Sequence, residues 1–251
     1  MRVAVLADIH ANLPALRAVL DDAVSLRCAT VWCLGDVVGR GPYPDQVVTE
    51  IRALGVPTVQ GNWDEAVGMN REQPGSIWAS PEAEAQGIAS LQWTIAHVSD
   101  ENRSWLRQLP PTLRLEIGER SALLFHGSPL RQNEYLWSDR PSRTLTRIAS
   151  DEADDLFCFG HTHETFQRVV GASQFVAAGS VGCGSESDPR AQYAVIETTE
   201  ADLDVRFRSV RYDRQPVERA LEAAGLSVDL LRVGPVSHPL VDAGIGPMVE
   251  A

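Results

Sequence analysis

The sequence predicts an α/β protein built on a largely parallel sheet, and three observations support this. Short apolar runs typical of buried strands alternate with segments in which apolar residues recur every three or four positions, as in helices. Polar residues follow each of the early apolar runs. Beyond residue 163, short runs separated by Gly, Ser, Asp and Thr indicate a second, more antiparallel sheet. In such alternating folds, ligands bind outside the carboxyl ends of the strands.

Composition sets limits on size and partners. The chain has 251 residues, is 44% hydrophobic and shows no change of composition along its length, so we expect a single domain over residues 1–251. Its formal net charge is -12. An acidic surface repels nucleic-acid backbones and anionic membranes, so we expect neither non-specific nucleic-acid binding nor membrane association. Affinity for an anion then needs a local positive centre, such as a bound metal.

The termini and cysteines point to a cytoplasmic protein. The first acid, Asp8, comes too early for a signal-peptide core, and no apolar stretch approaches membrane-spanning length. The four cysteines form no Cys-x-x-Cys pair, and no disulfide framework is expected. Cys183 lies between two glycines and can approach a site there, but no pattern around it requires a reactive thiol.

The first third of the chain repeats one unit, a strand followed by polar residues and a helix. Strands are expected at 3–7, 31–34 and 57–60. The first helix begins after Asn12, which can cap it. The second begins at Pro44 and ends at Gly55, as the preferences of proline and glycine at helix ends predict.

The remainder divides into a helical segment and a strand-rich half. Residues 65–109 read as helical and contain Trp78, Trp93 and Trp105, so they form either an insertion lying over a site or a helical pair that completes the core. After this segment, strands are expected at 121–125, 156–159, 166–170, 175–178, 193–197 and 204–210. Helices are expected within 133–150 and at 216–224. The tail from residue 234 is too rich in Gly and Pro to assign.

Ligand-type side chains recur at successive strand ends. Each one alone has an ordinary explanation as a turn residue, a helix cap or a core histidine. Their coincidence at five strand ends is improbable without a shared role. Mixed carboxylate, amide and imidazole ligands suit borderline divalent ions such as manganese, iron or zinc. The candidates are Asp8, His10, Asp36, Asn62, His126, His161 and His163.

These motifs resemble the signature of the calcineurin-like metallophosphoesterase superfamily, and in particular its small bacterial phosphodiesterase-like branch. The family pattern is Asp-x-His, Gly-Asp-x-x-Gly, Gly-Asn-His-Asp, a later His, and Gly-His-x-His. The chain has the same order, and Ala178 to Gly182 and Asp188 to Arg190 with Tyr193 also look like the small bacterial members. The matching motifs are Asp8-Ile9-His10, Gly35-Asp36-Val37-Val38-Gly39, Gly61-Asn62-Trp63-Asp64, His126-Gly127 and Gly160-His161-Thr162-His163.

The resemblance implies a four-layer α/β/β/α sandwich of two mixed sheets and a centre of two divalent transition-metal ions, with manganese favoured over zinc or iron. It assigns Asp8, His10, Asp36 and His163 to the first ion, and a bridging Asp36 with Asn62, His126 and His161 to the second. It further implies attack by a metal-bridging hydroxide on a small phosphoester, possibly nucleotide-like, with Asp36, Asn62 and His126 at the chemical step.

One departure from the family pattern concerns the leaving group. Trp63 stands where the family has the histidine that assists departure of the leaving oxygen, and an indole cannot deliver a proton near neutral pH. Two interpretations stay open: Trp63 narrows the space above the phosphate and offers a flat face to a substituent, or it packs against the helical segment while Asp64 caps the next helix. Ala11, where many relatives have glycine, is a milder departure.

Three further side chains are weaker candidates near the substrate. Arg40 and Tyr43 follow the Gly-Asp motif, and His97 in the helical segment could replace the missing acid, although a lone helical histidine is more often a surface residue. We expect a metal-dependent phosphodiesterase. The alternatives are a phosphomonoesterase or dinucleoside-polyphosphate hydrolase, and a metal-binding scaffold without turnover.

Overall fold

The computed structural model describes residues 1–185, 187–199 and 203–233. Two mixed sheets lie face to face with helices on their outer faces, which confirms the predicted fold class. The strands are β1 Arg2–Leu6, β2 Thr30–Cys33, β3 Thr112–Ile117, β4 Arg120–Phe125, β5 Leu156–Phe159, β6 Thr165–Val170, β7 Ser173–Ala178, β8 Gly184–Ser185, β9 Ala191–Thr198, β10 Leu203–Val210 and β11 Arg232–Val233. The helices are α1 Leu13–Ser25, α2 Pro44–Leu54, α3 Asn62–Gly68, α4 Pro81–His97, α5 Asp100–Gln108, α6 Ser142–Glu152 and α7 Gln215–Ala223, followed by a 3₁₀ helix at Val228–Leu231.

Parallel pairing occurs at one edge of the first sheet, in the centre of the second sheet and in a separate short pair of strands. The first sheet has the order β10-β9-β1-β2, with only β1 and β2 parallel. The second has the order β3-β4-β5-β7-β6, with β5 parallel to both neighbours. A short pair, β8 with β11, joins the C-terminal segment to the rest. Polar residues follow the carboxyl ends of β1, β2, β4 and β5.

The core has three layers of apolar contact. The largest lies between the outer face of the first sheet and helices α1 to α5, and includes Leu6, Leu16 and Val48. A second fills the space between the sheets, where Val5 of β1 meets residues such as Leu124 and Cys158. The third lies between the second sheet and α6. This arrangement gives the α/β/β/α order of layers.

Two expectations about strands were wrong, and one strand was missed. Residues 57–60 form only one bridge, Cys33 to Thr58, because Pro57 has no N–H to continue a ladder and Gly61 follows at once. The runs beyond residue 163 do not form a sheet of their own. β6 and β7 extend the second sheet, while β9 pairs antiparallel with β1, so that Val5 lies opposite Ala194. Strand β3 was not expected, although its residues alternate in character and pair with β4 through a tight turn.

The helical segment completes the core. Leu91 of α4, Val98 and Leu106 of α5 are buried in the same cluster as Trp63. A β-carbon at Gly87 of α4 would overlap the ring of Trp78, whose centroid lies 6.3 Å from that of Trp63. Glycine at this position therefore lets α4 approach Trp78 closely. In the part of the chain that the structure describes, no helix is long and apolar enough to cross a membrane.

We predict that Gly87→Ala destabilises the protein although alanine favours helices. Alanine should add about 1 kcal/mol of helix propensity, but displacement of the Trp78 ring should cost about 1–3 kcal/mol as overpacking. Urea unfolding of the two proteins measures the difference. Ala89→Gly in the same helix is the reciprocal control and should cost about 1 kcal/mol. A gain of about 1 kcal/mol in Gly87→Ala would mean that Trp78 moves aside freely.

Candidate metal centre

All seven side chains expected at the strand ends meet in one place. Asp8 and His10 follow β1, Asp36 follows β2, and Asn62 is the first residue of α3. His126 follows β4, and His161 and His163 follow β5. Six of the seven residues are buried, and the His163 side chain is 9% exposed. Residues up to 155 positions apart in the chain are thus concentrated at one edge of the two sheets.

The distances between their ligand atoms are those of a shared centre. Asp8 Oδ1 lies 3.3 Å from His163 Nε2 and 3.8 Å from the Nε2 atoms of His10 and His126. Asp36 Oδ2 lies 3.3 Å from His126 Nε2 and 3.8 Å from His10 Nε2. The described residues provide two groups around Asp36 whose ligand atoms lie within 4.8 Å of one another, one with Asp8 and His10 and the other with His126 and His161.

Several of these atoms have no hydrogen-bond partner. They are Asp8 Oδ1, Asn62 Oδ1, His126 Nε2 and His161 Nε2. A buried polar atom without a partner costs about 1–3 kcal/mol. Four such atoms aimed at one space fit a divalent cation, which would satisfy them together. The described residues therefore form candidate metal-ligand clusters.

Each ligand is oriented through its other polar atom. The Nδ1 atoms of His10 and His126 lie 3.2 Å and 2.8 Å from the carbonyl oxygens of Val38 and Leu34. A carbonyl only accepts, so Nδ1 donates to it in both rings, and Nε2 is the nitrogen that is directed towards the other ligands and would bind a metal. Asp36 Oδ1 accepts from the backbone N–H of Trp63 at 2.8 Å.

Asp8 and Asn62 are held in the same manner. Asp8 Oδ2 accepts from the backbone N–H of His161 at 3.0 Å, which joins the first motif to the last. Asn62 Nδ2 donates to Pro74 O at 2.8 Å, so its Oδ1 faces the centre. In each side chain one polar atom is used for support and the other is left for a metal.

The backbone around the ligands is strained. Five of the seven have positive φ values between 47° and 67°, a region that non-glycine residues adopt at a cost of about 1–3 kcal/mol each. They are Asp8, His10, Asp36, His161 and His163. Bonds between loops stabilise this conformation, for example from Asp8 N to Gly35 O and from His10 N to Asp36 O. Gly61 is required as well, because a β-carbon there would overlap Asp36.

The charges in the centre depend strongly on burial. Burial holds the pKa values of His10 and His161 well below the usual range, so both rings are neutral. Burial acts in the same direction on His126, but the carboxylates of Asp36 and Asp8 outweigh it and raise the pKa of His126 to about 9. Burial would raise the pKa of Asp8, but His163, His126 and His10 together lower it. Two neutral imidazoles beside an ionised Asp8 are suited to binding a cation.

Trp63 lies within the core and presents no open face to a substrate. Its side chain is among the largest that are fully buried, with a residue exposure of 1%. Its ring meets the edge of His10 at a centroid distance of 5.9 Å and that of Trp78 at 6.3 Å. The structure thus supports the interpretation in which Trp63 packs against the helical segment. We infer that it holds the His10 ring in place.

Asp64 was expected to precede the helix and cap it, but α3 already begins at Asn62, so Asp64 is its third residue and bonds back to the N-cap Gly61. Its Oδ2 accepts from Gly61 N at 3.0 Å, and its Oδ1 accepts from Val37 N and Val38 N at 2.9 Å and 3.2 Å. Burial and the nearby charge of Asp36 raise the pKa of Asp64 to about 7, against the effect of the backbone N–H groups. The carboxyl group joins the second motif to the third, which the sequence motif alone did not indicate.

The other candidates from the sequence are placed differently. The Arg40 guanidinium carbon lies 5.8 Å from the centroid of Trp63 and 6.0 Å from that of Trp78, and Nη1 donates to Leu230 O at 3.4 Å. The Tyr43 hydroxyl donates to Pro216 O at 3.0 Å. His97 is exposed and stacks on Trp93 at the end of α4, and its described contacts do not include the ligands.

Sequence reasoning missed Tyr135. Its ring lies 3.9 Å from that of His161, centroid to centroid, and its hydroxyl accepts from Ile77 N at 3.2 Å. Tyr135 is in the irregular segment between β4 and α6, where no periodicity marks a site residue. An aromatic residue a few positions after a candidate ligand is too common to be a signal on its own.

The fold and the site together define the class. Two facing mixed sheets with buried aspartate, asparagine and histidine side chains at their strand ends form an α/β protein with a candidate metal centre. A family model described as the calcineurin-like phosphoesterase superfamily domain matches residues 1–201, and the chain belongs to that family.

The chain is also similar to individual proteins. The uncharacterized protein MJ0912 of Methanocaldococcus jannaschii is 28% identical over 228 residues, which cover 84% of this chain and 88% of the relative. A metallophosphoesterase from Sphaerobacter thermophilus superposes with a TM-score of 0.70 at 28% identity, covering 92% of this chain and 96% of the other. The hypothetical protein PH1004 from Pyrococcus horikoshii has the same fold, with a TM-score of 0.80 at 24% identity and the same coverages.

We predict that Asp36→Asn loses more metal than any other single ligand change. Asp36 belongs to both groups of ligand atoms, and a carboxylate also offsets cation charge, which an amide cannot do. Metal affinity should fall by more than about 100-fold, beyond the 10- to 100-fold typical of removing an outer partner. Titration with manganese or zinc, followed by elemental analysis, measures the loss. Asp45→Asn, remote from the cluster, is the control. Full retention of metal in Asp36→Asn would show that the site is assigned wrongly.

We predict that Trp63→His lowers stability without changing substrate preference. The loss of buried indole should cost about 3 kcal/mol or more, the lower end for replacing a core tryptophan with alanine. Urea unfolding gives the free energy, and rates with an aryl diester and an aryl monoester should fall together. Trp93→His, at a half-buried position, is the control for the substitution. A higher ratio of monoester to diester rates in a folded, fully metallated Trp63→His would contradict the packing role.

Proposed function

We propose that the protein is a dinuclear metal-dependent phosphoester hydrolase that prefers phosphodiesters. The proposal rests chiefly on Asp36, whose carboxylate is shared by two groups of buried ligands. In the proposed assignment Asp36 bridges the ions and the other ligands divide between them. Asp8, His10 and His163 hold the first, and Asn62, His126 and His161 hold the second. Manganese is the favoured ion, with zinc and iron as alternatives.

The centre would supply what an acidic protein otherwise lacks for binding a phosphoester. Divalent ions bound there supply a nucleophile at neutral pH and offset the charge that develops on the phosphoryl oxygens. Only two carboxylates, Asp8 and Asp36, face two dications in the proposed assignment, so the occupied centre stays positive. The neutral rings of His10 and His161 and the Asn62 amide preserve that excess. The chain's net charge of -12 is then no obstacle to an anionic substrate.

The lack of a proton donor for the leaving group favours some esters over others. Trp63 is buried and has no acidic proton to give, and His97 stacks on Trp93 at an exposed helix end. General acid catalysis is worth roughly 100- to 10,000-fold where it operates. Good leaving groups need little of it. Aryl diesters and strained cyclic diesters should therefore react better than alkyl monoesters.

A cleft beside Asn62 offers space for a second substituent. Its volume is about 570 Å³, and no aromatic residue is among those that line it. Gln73 and Gln132 supply amide groups, and Arg131 is an exposed residue for which the described part of the chain provides no ion pair. Such a lining suits a polar or anionic group bound by hydrogen bonds. A monoester has no such group to place there.

All four cysteines are free thiols, which supports the proposed cytoplasmic location. A small phosphoester is the proposed substrate, and nucleotide-like esters are among the candidates.

The proposal predicts that the metal-loaded protein hydrolyses diesters faster than monoesters. Manganese-loaded protein is assayed with a bis-aryl phosphate and an alkyl monophosphate in parallel, and kcat/KM for the diester should be at least about 100-fold higher, the low end of the effect of a missing acid on a poor leaving group. Faster monoester hydrolysis would contradict the substrate preference. No turnover in a folded, fully metallated protein would favour a metal-binding scaffold.

Arg131→Ala extends the same test to the cleft. With a diester whose second substituent is anionic, kcat/KM should fall about tenfold or more, the effect of losing one hydrogen bond to a charged group. The rate with aryl monophosphate should not change. Arg147→Ala, an exposed arginine of α6, is the matched control. Equal losses on both substrates would show that Arg131 does not bind the second substituent.

A further inference from the structure

Cys183 lies at the same edge of the sheets as the candidate metal ligands. Its residue exposure is 3%, and its Sγ lies within 4.8 Å of the ligand nitrogens of His10 and His163, which are themselves that close. The Nε2 atoms of the two histidines are 3.3 Å apart. The sulfur is thus part of a three-residue group that contains two proposed ligands of the first ion.

The loop that carries Cys183 is attached to the first motif. Gly182 N donates to Asp8 O at 2.9 Å, and a β-carbon at Gly182 would overlap Ile9 O. Ser180 Oγ donates to the same Asp8 carbonyl at 2.9 Å and accepts from Cys183 N at 2.9 Å. These contacts fix the position of Cys183 relative to Asp8 and His10. The hydrogen bonds of this loop therefore hold the sulfur beside the candidate metal centre.

The thiol has little else to bind. Its described bond is a long one, from Sγ to Leu230 O at 3.6 Å. Cys158, in contrast, is buried in the apolar layer between the sheets, where no cation could be held. Cys158 and Cys183 therefore have very different surroundings, and of these two residues only Cys183 faces ligand-type side chains.

A second observation points to a cation at the same place. Asp8 Oδ1 is fully buried and has no hydrogen-bond partner, and it lies 3.3 Å from His163 Nε2 and 3.8 Å from His10 Nε2. The unpartnered oxygen therefore lies beside the two histidines that, together with Cys183, form the three-residue group. A cation there would satisfy it.

We propose that Cys183 binds, as a thiolate, the ion held by His10 and His163, and that it makes this position selective for zinc over manganese. The inference rests on the proposed metal centre. On binding, the S–H bond breaks, the sulfur–metal bond forms, and the proton passes to solvent. A soft thiolate favours zinc, whereas the ligands of the second position are oxygen and nitrogen atoms, which manganese accepts. The two positions are therefore chemically unequal, and the preference for manganese proposed for the centre then applies to the second position only.

The observed spacing is compatible with this bond. Zinc binds sulfur at about 2.3 Å and imidazole nitrogen at about 2.0–2.1 Å, so two such ligands of one ion lie at most about 4.4 Å apart. The atoms of the group lie within 4.8 Å of one another. Only a small movement is needed, and the long Sγ to Leu230 contact offers little resistance to it.

X-ray absorption at the zinc edge tests the proposal on the full chain. Zinc-loaded wild-type protein should show a sulfur shell at about 2.3 Å, and folded, zinc-loaded Cys183→Ala should not. Cys158→Ala removes the same group from another buried cysteine and should keep the shell. The ratio of zinc to manganese affinity should fall at least about tenfold in Cys183→Ala, the lower bound for losing even an outer partner of a ligand.

The outcomes separate this proposal from the proposed function. A zinc-loaded wild type with only nitrogen and oxygen neighbours overturns the role of Cys183 and leaves the metal centre intact. A sulfur shell that persists in Cys183→Ala also overturns it. A wild type that binds no zinc or manganese removes both proposals. If Cys183→Ala fails to fold, the wild-type spectrum still decides, and Cys183→Ser serves as the second variant.

Discussion

The arrangement of the site depends on one buried carboxyl group, that of Asp64. It accepts three backbone N–H groups, one from the third motif and two from the second, and so fixes the loops after β2 and before α3 against each other. Val38, whose N–H it holds, in turn accepts the Nδ1 proton of His10. Removing this carboxyl would leave three buried donors unpaired, at about 1–3 kcal/mol each. The ligand geometry is thus set by a residue that touches none of the proposed metal positions.

A chain of aromatic contacts supports the centre from the other side. Gly87 of α4 allows Trp78 to approach, Trp78 meets Trp63 edge to face, and Trp63 meets His10. Buried packing of this kind restricts the rings to one rotamer. A helical segment that contributes no proposed ligand therefore helps to determine the orientation of one.

The sequence allowed the meeting of the candidate ligands to be predicted because most of them follow a strand within a few residues. Asp8, Asp36 and His126 are polar residues that end apolar runs, a local pattern, and parallel strands then bring such ends together. The partition of strands between the sheets could not be read in that way. The pairing of β9 with β1 joins residues some 190 positions apart, and nothing local to either strand encodes it. Tyr135 was missed, and two interpretations of Trp63 stayed open, because their contacts are likewise made with residues distant in the chain.

The carbonyl oxygen of Leu230 receives two donors from the region of the centre, Arg40 Nη1 at 3.4 Å and Cys183 Sγ at 3.6 Å. Both bonds are long, and under the proposal for Cys183 a bound ion would compete with Leu230 O for the sulfur. The free energy lost from the attachment of the 3₁₀ helix would equal the free energy by which that attachment opposes metal binding. Metal binding at the first position and the attachment of the 3₁₀ helix would then be thermodynamically linked through a single peptide group.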